Sequence, residues 1–234
     1  MAKNIFSGIN PNASSFIDRY NLDPNWFNTL HPDVQQMIAQ LPTLDEVTEQ
    51  RIVSRLQKGI DQISDQTYYS VQRAPGGGNE ITFFGPAQGA TLGQVTNTGN
   101  QFITNVSNGD LDKDKLFFLT HIQLILGSDT ATNLNAASLT VPVDSIPAIA
   151  NGEYDFVVND ILTMKNYSTK DFSVSGLAVN TNSPVSGRIG EICLKNPKFL
   201  PTQKKMEFKI RSLNTIPLDT VIGVFLRGLG IRIS

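Results

Sequence analysis

The chemistry open to this chain starts with two histidines, His31 and His121, and one cysteine, Cys193. An imidazole works as a general base near neutral pH when a nucleophile and an orienting carboxylate stand beside it. His121 lies in the apolar run Leu116–Leu126 and has no such partner close in sequence. It reads as a partly buried structural histidine rather than a catalytic base. His31 precedes Pro32 at a helix start, where a turn role accounts for it. Cys193 sits on an alternating segment and reads as a small core residue, not a nucleophile. A single cysteine makes no internal disulfide, and two distant histidines make no zinc site. No metal and no cofactor are expected.

The acidic residues make no stronger case. Asp110-Leu111-Asp112-Lys113-Asp114 looks like half of a calcium loop. The loop's glycine is missing, and His121 stands where its closing glutamate would fall. A solvated turn is the better reading, with a weak cation site left open. Asp155 and Asp160 flank a strand pair without the spacing evidence a glycosidase would need. Ser186-Gly187-Arg188-Ile189-Gly190 is not a nucleophile elbow. Asn12-Ala13-Ser14, Asn105-Val106-Ser107 and Asn166-Tyr167-Ser168 match the glycosylation sequon, but chance explains them in so asparagine-rich a chain. No enzyme is expected.

One basic cluster remains: Lys195, Lys198, Lys204, Lys205, Lys209 and Arg211. Sequence-independent phosphate contact is one reading. An edge strand guarded by lysines against stray pairing is the other, and the thin aromatic interleaving (Phe199 and Phe208) favours it. Weak contact with nucleic acid or a neighbouring subunit, where made, falls to Lys205, Lys209 and Arg211.

Composition shows what must position these residues. The 234 residues include 20 Asn, 19 Thr, 18 Gly and 12 Pro, and only 17% are charged. Soluble domains carry about 25% charged residues. Such a chain favours turns and strands over surface helices, and it implies surface that is not simply solvated. The net charge of −2 excludes a strongly basic nucleic-acid binder. By segment, 1–73 carry −2, 74–194 carry −6 and 195–234 carry +6. That asymmetry suits contact with copies of itself or with an anionic partner, or opposite charges meeting within the fold. No apolar run reaches the ~18 residues of a membrane span. The first residues lack the apolar core of a secretory signal, so synthesis in a cytosol is expected.

The first 66 residues read as helical. Pro32 and Asp33 suit a first turn, and Val34, Met37, Ile38 and Leu41 form one apolar stripe ended by Pro42. Thr43 and Glu46 suggest a capping box. A second helix follows to about Gln66, with Val53, Leu56, Ile60 and Ile63 on its apolar face and Glu49 among the charges opposite. The stretch before Thr29, with Trp26, reads as an arm that orders by docking.

From Tyr68 the period becomes two. Residues 74–109 hold one charge, Glu80, and eight glycines. No phosphate-loop signature is present, and short strands joined by glycine turns (Glu80–Phe84, Gln101–Val106) are expected over a linker. Further strands are expected at Lys115–Leu126, Ser138–Val143, Tyr154–Val158, Ile161–Lys165, Phe172–Val179, Arg188–Leu194 and Lys204–Arg211. In the last, Met206, Phe208 and Ile210 face inward. Thr220–Ile233 is apolar on both faces, so it should be a central strand, with Phe225 a large buried side chain. Gly223, Gly228 and Gly230 would permit a bulge or close approach there. Eight to ten antiparallel strands with Gly/Pro turns indicate a β-sandwich or barrel.

A Pro-containing turn feeds the alternating strand in Phe199-Leu200-Pro201-Thr202-Gln203-Lys204-Lys205-Met206-Glu207-Phe208-Lys209-Ile210. The apolar segment Ile216-Pro217-Leu218-Asp219-Thr220-Val221-Ile222-Gly223-Val224-Phe225-Leu226-Arg227-Gly228 closes the chain. The two are similar to the ends of jelly-roll capsid proteins of tailless icosahedral bacteriophages. The resemblance spans residues 68–234 at the level of pattern. It implies a mainly β protein with one jelly roll (67–234) after an N-terminal helical arm (1–66). It further implies a structural subunit that assembles with its own copies, and with other virion proteins, into a shell around a genome. The place implied is the virion, made in a host cytoplasm. Many members of the membrane-containing phage lineage carry two jelly rolls, whereas about 165 residues hold one, which leaves a major capsid or a vertex protein. The alternative is a binding module: a phage tail or fibre head, or a carbohydrate-binding sandwich. An aromatic platform would favour that reading, and the strand region has no Trp.

Overall fold

In the computed structural model the described residues are 17–21, 23–41, 44, 46–58, 63–74, 78–85, 102–106, 110–111, 115–128, 139–159, 161–173, 188–200, 204–217 and 220–232. Several expectations fall outside them: the Thr43 cap, Asp112 and Asp114, Asp160, Ser186-Gly187, the Asn12 sequon, the Pro201 turn and most of the glycine-rich stretch.

Among the described residues, a helical turn over 17–19 precedes three helices. In α1 (Pro24–Thr29), Asp23 accepts from the Asn25 amide at 2.9 Å, and Pro24 opens the first turn. In α2 (Pro32–Gln40), His31 itself is the N-cap: its Nδ1 accepts from the Asp33 amide at 3.3 Å. The expected stripe is buried at Met37, Ile38 and Leu41. The Gln35 amide donates to the Phe27 and Leu30 carbonyls and ties the two helices together. α3 (Glu46–Lys58) stops short of the expected Gln66. Ser64, Asp65 and Gln66 instead open the first strand, paired with Gly230, Leu229 and Gly228. A ten-residue ladder outweighs two more turns of helix. Glu49, expected on the wet face, is 3% exposed and pairs with Arg19 at 3.3 Å.

Nine strands follow among the described residues: β1 (Ser64–Arg73), β2 (Glu80–Phe83), β3 (Phe102–Thr104), β4 (Lys115–Ser128), β5 (Glu153–Val158), β6 (Ile161–Ser168), β7 (Glu191–Leu200), β8 (Met206–Arg211) and β9 (Thr220–Arg232). They form two antiparallel sheets, ordered β3-β1-β9-β4-β7 and β2-β8-β5-β6. With β3 set aside as an added edge, four strands face four. The chain crosses from sheet to sheet between β1 and β2, β2 and β3, β4 and β5, β6 and β7, β7 and β8, and β8 and β9. This is the order of a jelly roll, two Greek keys folded on each other.

The core lies between the sheets. β8 alternates as read, with Met206, Phe208 and Ile210 buried. β9 is central, between β1 and β4. Its inward residues are Ile222, Val224 and Leu226, so Phe225 points the other way and is half-buried on the outer face. That outer face is covered in part: Leu229 and Ile231, with Leu116 and Phe118 of β4, pack against the helices at Met37, Ile38 and Leu41.

Three expected strands differ. Of the expected strand Ser138–Val143, the described residues are 139–143, and among them only Val141 pairs, in a bridge with Leu126; Pro142 and Pro147 then impose a 3₁₀ turn and the short helix α4 (Pro147–Ala150). Phe172 ends a 3₁₀ turn at Thr169–Phe172, and 174–179 lie outside the described residues. β7 starts later and runs longer than Arg188–Leu194, through Pro197, which an edge strand tolerates.

Candidate functional site

The two histidines line one cleft. The register of β4 shifts between Leu119 and His121: against β9 this is a bulge with Thr120 as the extra residue, and against β7 it sets Thr120 opposite residues 194–197. Phe117 and Leu119 face the core before it, and Ile122 and Leu124 after it. The shift turns His121 outward, beside Arg227 of β9 and Cys193 of β7. Gly228 makes room: a Cβ there would stand 1.9 Å from the Phe118 carbonyl oxygen. His31 and Asp33, at the start of α2, lie over the same spot. The result is a cleft of about 600 Å³ between helix and sheet, lined also by Asp65, Arg188 and Glu191.

Its polar groups are largely committed to one another. The Thr120 hydroxyl lies 2.8 Å from His121 Nδ1 and donates to the Arg227 carbonyl at 3.2 Å. With that proton so placed, Nδ1 is the donor to Thr120. Arg227 Nη2 donates to Gln123 at 2.8 Å, and Gln123 donates to the Ile189 carbonyl at 2.8 Å. Glu191, its side chain 3% exposed, stands 3.2 Å from Arg227 Nε and 3.9 Å from Arg188. The Nε contact lacks hydrogen-bond geometry, so it is a Coulombic pair rather than a directed bond. Burial, then Arg188, pulls the Arg227 pKa down, and Glu191 opposes them. Among the described residues, no carboxylate hydrogen-bonds His121 and no three His, Cys, Asp or Glu side chains converge as a metal site. The arrangement is an ion-pair clasp beside a histidine held by the Thr120 hydroxyl.

Cys193 is exposed, not in the core. The bulge opposite it and its edge strand turn it out. Desolvation of its sulfur, with Asp33 and Glu191 nearby, pushes the thiol pKa up, away from thiolate. Asp110 forms a backbone bridge to Lys205. The Asn105 side chain accepts from the Tyr69 amide at 2.7 Å and donates to the Thr67 carbonyl at 2.8 Å, so both ends of its amide serve the sheet.

Lys205, Lys209 and Arg211 line up along β8, Lys205 just before its start, and the latter two are paired. Lys209 lies 3.4 Å from Glu80 and 3.3 Å from Glu207. Arg211 lies 2.7 Å from Asp155 and donates to Asn166 at 2.9 Å. Lys205 is exposed. Asp155, 7% exposed, also accepts from the Asn166 amide at 2.7 Å. Burial works to raise its pKa, but Arg211 and the Asn166 amide together hold the carboxyl below its usual range. A depressed folded-state pKa gives stability that is present above the unfolded value and lost as pH falls through the folded one. Asp155→Asn is therefore expected to cost about 2 kcal/mol at pH 7, as for a hydrogen bond to a charged group. The deficit should shrink as pH falls below about 4. Urea midpoints of both proteins across that range test this; a deficit independent of pH would assign the loss to something other than the carboxylate.

A second cleft, of about 510 Å³, opens between the sheets beside β6 and β7. Tyr154, Met164, Ile192 and Leu194 line it, with Lys195 and Lys198 exposed there. The Tyr154 ring stacks on Phe208 at 5.2 Å and meets Phe172 at 5.0 Å. Its hydroxyl is buried without a hydrogen-bond partner among the described residues, and burial drives its pKa far above the ordinary tyrosine value. Sequence reasoning passed over Tyr154; an aromatic in an apolar strand gives no sign that its polar end is unmatched.

No known protein family matches the chain, and neither does any curated protein. Among solved structures, it is similar to a chain of the Cocksfoot mottle virus structure determined at 2.7 Å. The TM-score is 0.27 and the identity 12%, covering 73% of this chain and 95% of that one.

Proposed function

We propose that this chain is a structural virion protein, a single jelly roll that assembles with its own copies into an icosahedral shell around a genome. The jelly-roll strand order carries the reading. That order serves coat proteins, lectins and cupins alike, and the fold alone does not choose between them. Two features favour the coat. The middle of the sandwich is filled by Phe83, Phe117 and Phe208, which leaves the cleft beside β6 and β7 to one edge of it. The outer face of β2-β8-β5-β6 pairs its charges internally, Lys209 with Glu80 and Arg211 with Asp155, so it meets another subunit with little net repulsion. Closed shells need such self-compatible faces. Lys205, with Lys209 and Arg211 beside it, is then the point of weak contact with nucleic acid or a neighbour.

The test is electron microscopy and sedimentation of the purified protein across sodium chloride concentration. Association through apolar and neutral polar faces should persist or strengthen with salt. Nucleic-acid binding through three charges should fade, with a logarithmic slope no steeper than about −2.7 on duplex DNA. A protein that stays monomeric throughout, yet binds DNA tightly at physiological salt, would overturn the coat reading.

A further inference from the structure

We propose that the cleft between the sheets binds a single-tailed carboxylate, such as a fatty acid. The tail lies against Met164, Ile192 and Leu194, and the carboxylate sits by Lys195 and Lys198, accepting the Tyr154 hydroxyl's hydrogen. Three observations support it independently. The cleft, at about 510 Å³, falls within the ~300–1,000 Å³ of small-molecule sites and is apolar where it lies between the sheets. Tyr154 is fully buried, lines that cleft, and has a hydroxyl with no partner among the described residues. Buried polar groups are otherwise almost always matched, so an orphan donor on a cavity wall points to a missing acceptor.

The third observation is charge. Lys198 stands opposite Leu119, a residue facing the core, so register places it on the inner side of the edge strand. Among the described residues, neither Lys195 nor Lys198 makes an ion pair, although both are exposed on the cleft. Asp171 is the carboxylate lining the same cleft, so the two lysines outnumber it. The local field therefore favours an anion at the mouth and an apolar body within. This goes beyond shell assembly and holds or fails without it.

Calorimetric titration of the full chain with dodecanoate, below its micelle threshold, should show saturable one-to-one binding in the micromolar range. Dodecanol should bind at least tenfold more weakly. Tyr154→Phe keeps the stacked ring and should weaken dodecanoate binding about tenfold, as expected for a hydrogen bond to a charged acceptor. Lys195→Gln with Lys198→Gln should remove the preference for the acid over the alcohol. Thermal melts add a readout that a purely structural role would not give. Without ligand, Tyr154→Phe should melt higher than the native chain, because an unmatched hydroxyl is gone. With saturating dodecanoate the order should reverse. Absence of saturable binding, an alcohol binding as tightly as the acid, undiminished binding by Tyr154→Phe, or a lower ligand-free melting point for that variant would each overturn the proposal.

Discussion

Replacing Phe208 with alanine is expected to cost about 3–5 kcal/mol of unfolding free energy, the range for a large aromatic removed from a packed core. Phe208 is fully buried in β8, between β2 and β5. Its ring stacks on Tyr154 at 5.2 Å, meets Phe83 edge-on at 6.2 Å and lies 6.3 Å from Phe156. Three aromatic neighbours cannot all collapse into the space left, so transfer and cavity costs add. Phe225→Ala makes the control. Phe225 faces outward, half-buried, with Tyr69 at 6.0 Å and the Arg227 guanidinium at 5.6 Å over its ring. It should cost less than half as much. Urea unfolding at unchanged m-value reads both. A loss below ~1 kcal/mol for Phe208→Ala, typical of surface positions, would mean that the sandwich core is not centred on β8.

The contrast between these two phenylalanines shows what was legible. β8 has one dry and one wet face, so Met206, Phe208 and Ile210 announce the core against Glu207, Lys209 and Arg211. β9 is apolar on both faces because one faces the core and the other lies under helices and Leu139. Its central place could be read, but its facing could not, and Phe225, expected to be a large buried side chain, is half-buried on the outer face. β4 hid its parity in the same way. Nothing in Leu119-Thr120-His121 marks a bulge; the trace of it is Gly228, on another strand. Without that bulge, the outward turn of His121 and the exposure of Cys193 could not be foreseen. The overlong helix failed for a related reason. Ile60 and Ile63 keep helical spacing, but Ser64–Arg73 have a partner in β9 more than 140 residues away, which no local window contains. The cleft itself, joining His31 to His121, exists only because the helical layer lies on the sheet.

That layer sets the other large effect. Removing residues 1–62 is expected to leave the strands in place and to make the protein associate through the bared face. The cut spares β1, whose pairing with β9 begins at Ser64. The main core is built from sandwich residues alone, Tyr68 onward, so its packing survives the deletion. What is lost is the cover over Leu116, Phe118, Leu229 and Ile231, none more than 7% exposed when the helices are present. Burying one such side chain stabilises by about 1.5–3 kcal/mol, so baring four threatens most of a stability that is typically about 5–15 kcal/mol. The truncated chain should keep its strand circular dichroism at low temperature, melt far lower, and sediment as a mixture of aggregates. Phe118→Thr with Leu229→Thr on that background should restore a single soluble species, since threonine keeps strand preference and accepts water. This outcome supports the division into a helical arm and a separate jelly roll. If the deletion instead abolishes the strand signal, and the threonine pair does not bring it back, helices and sandwich fold as one unit. The arm would then act as structural cover for the sheet rather than as an element free to reach a neighbouring subunit.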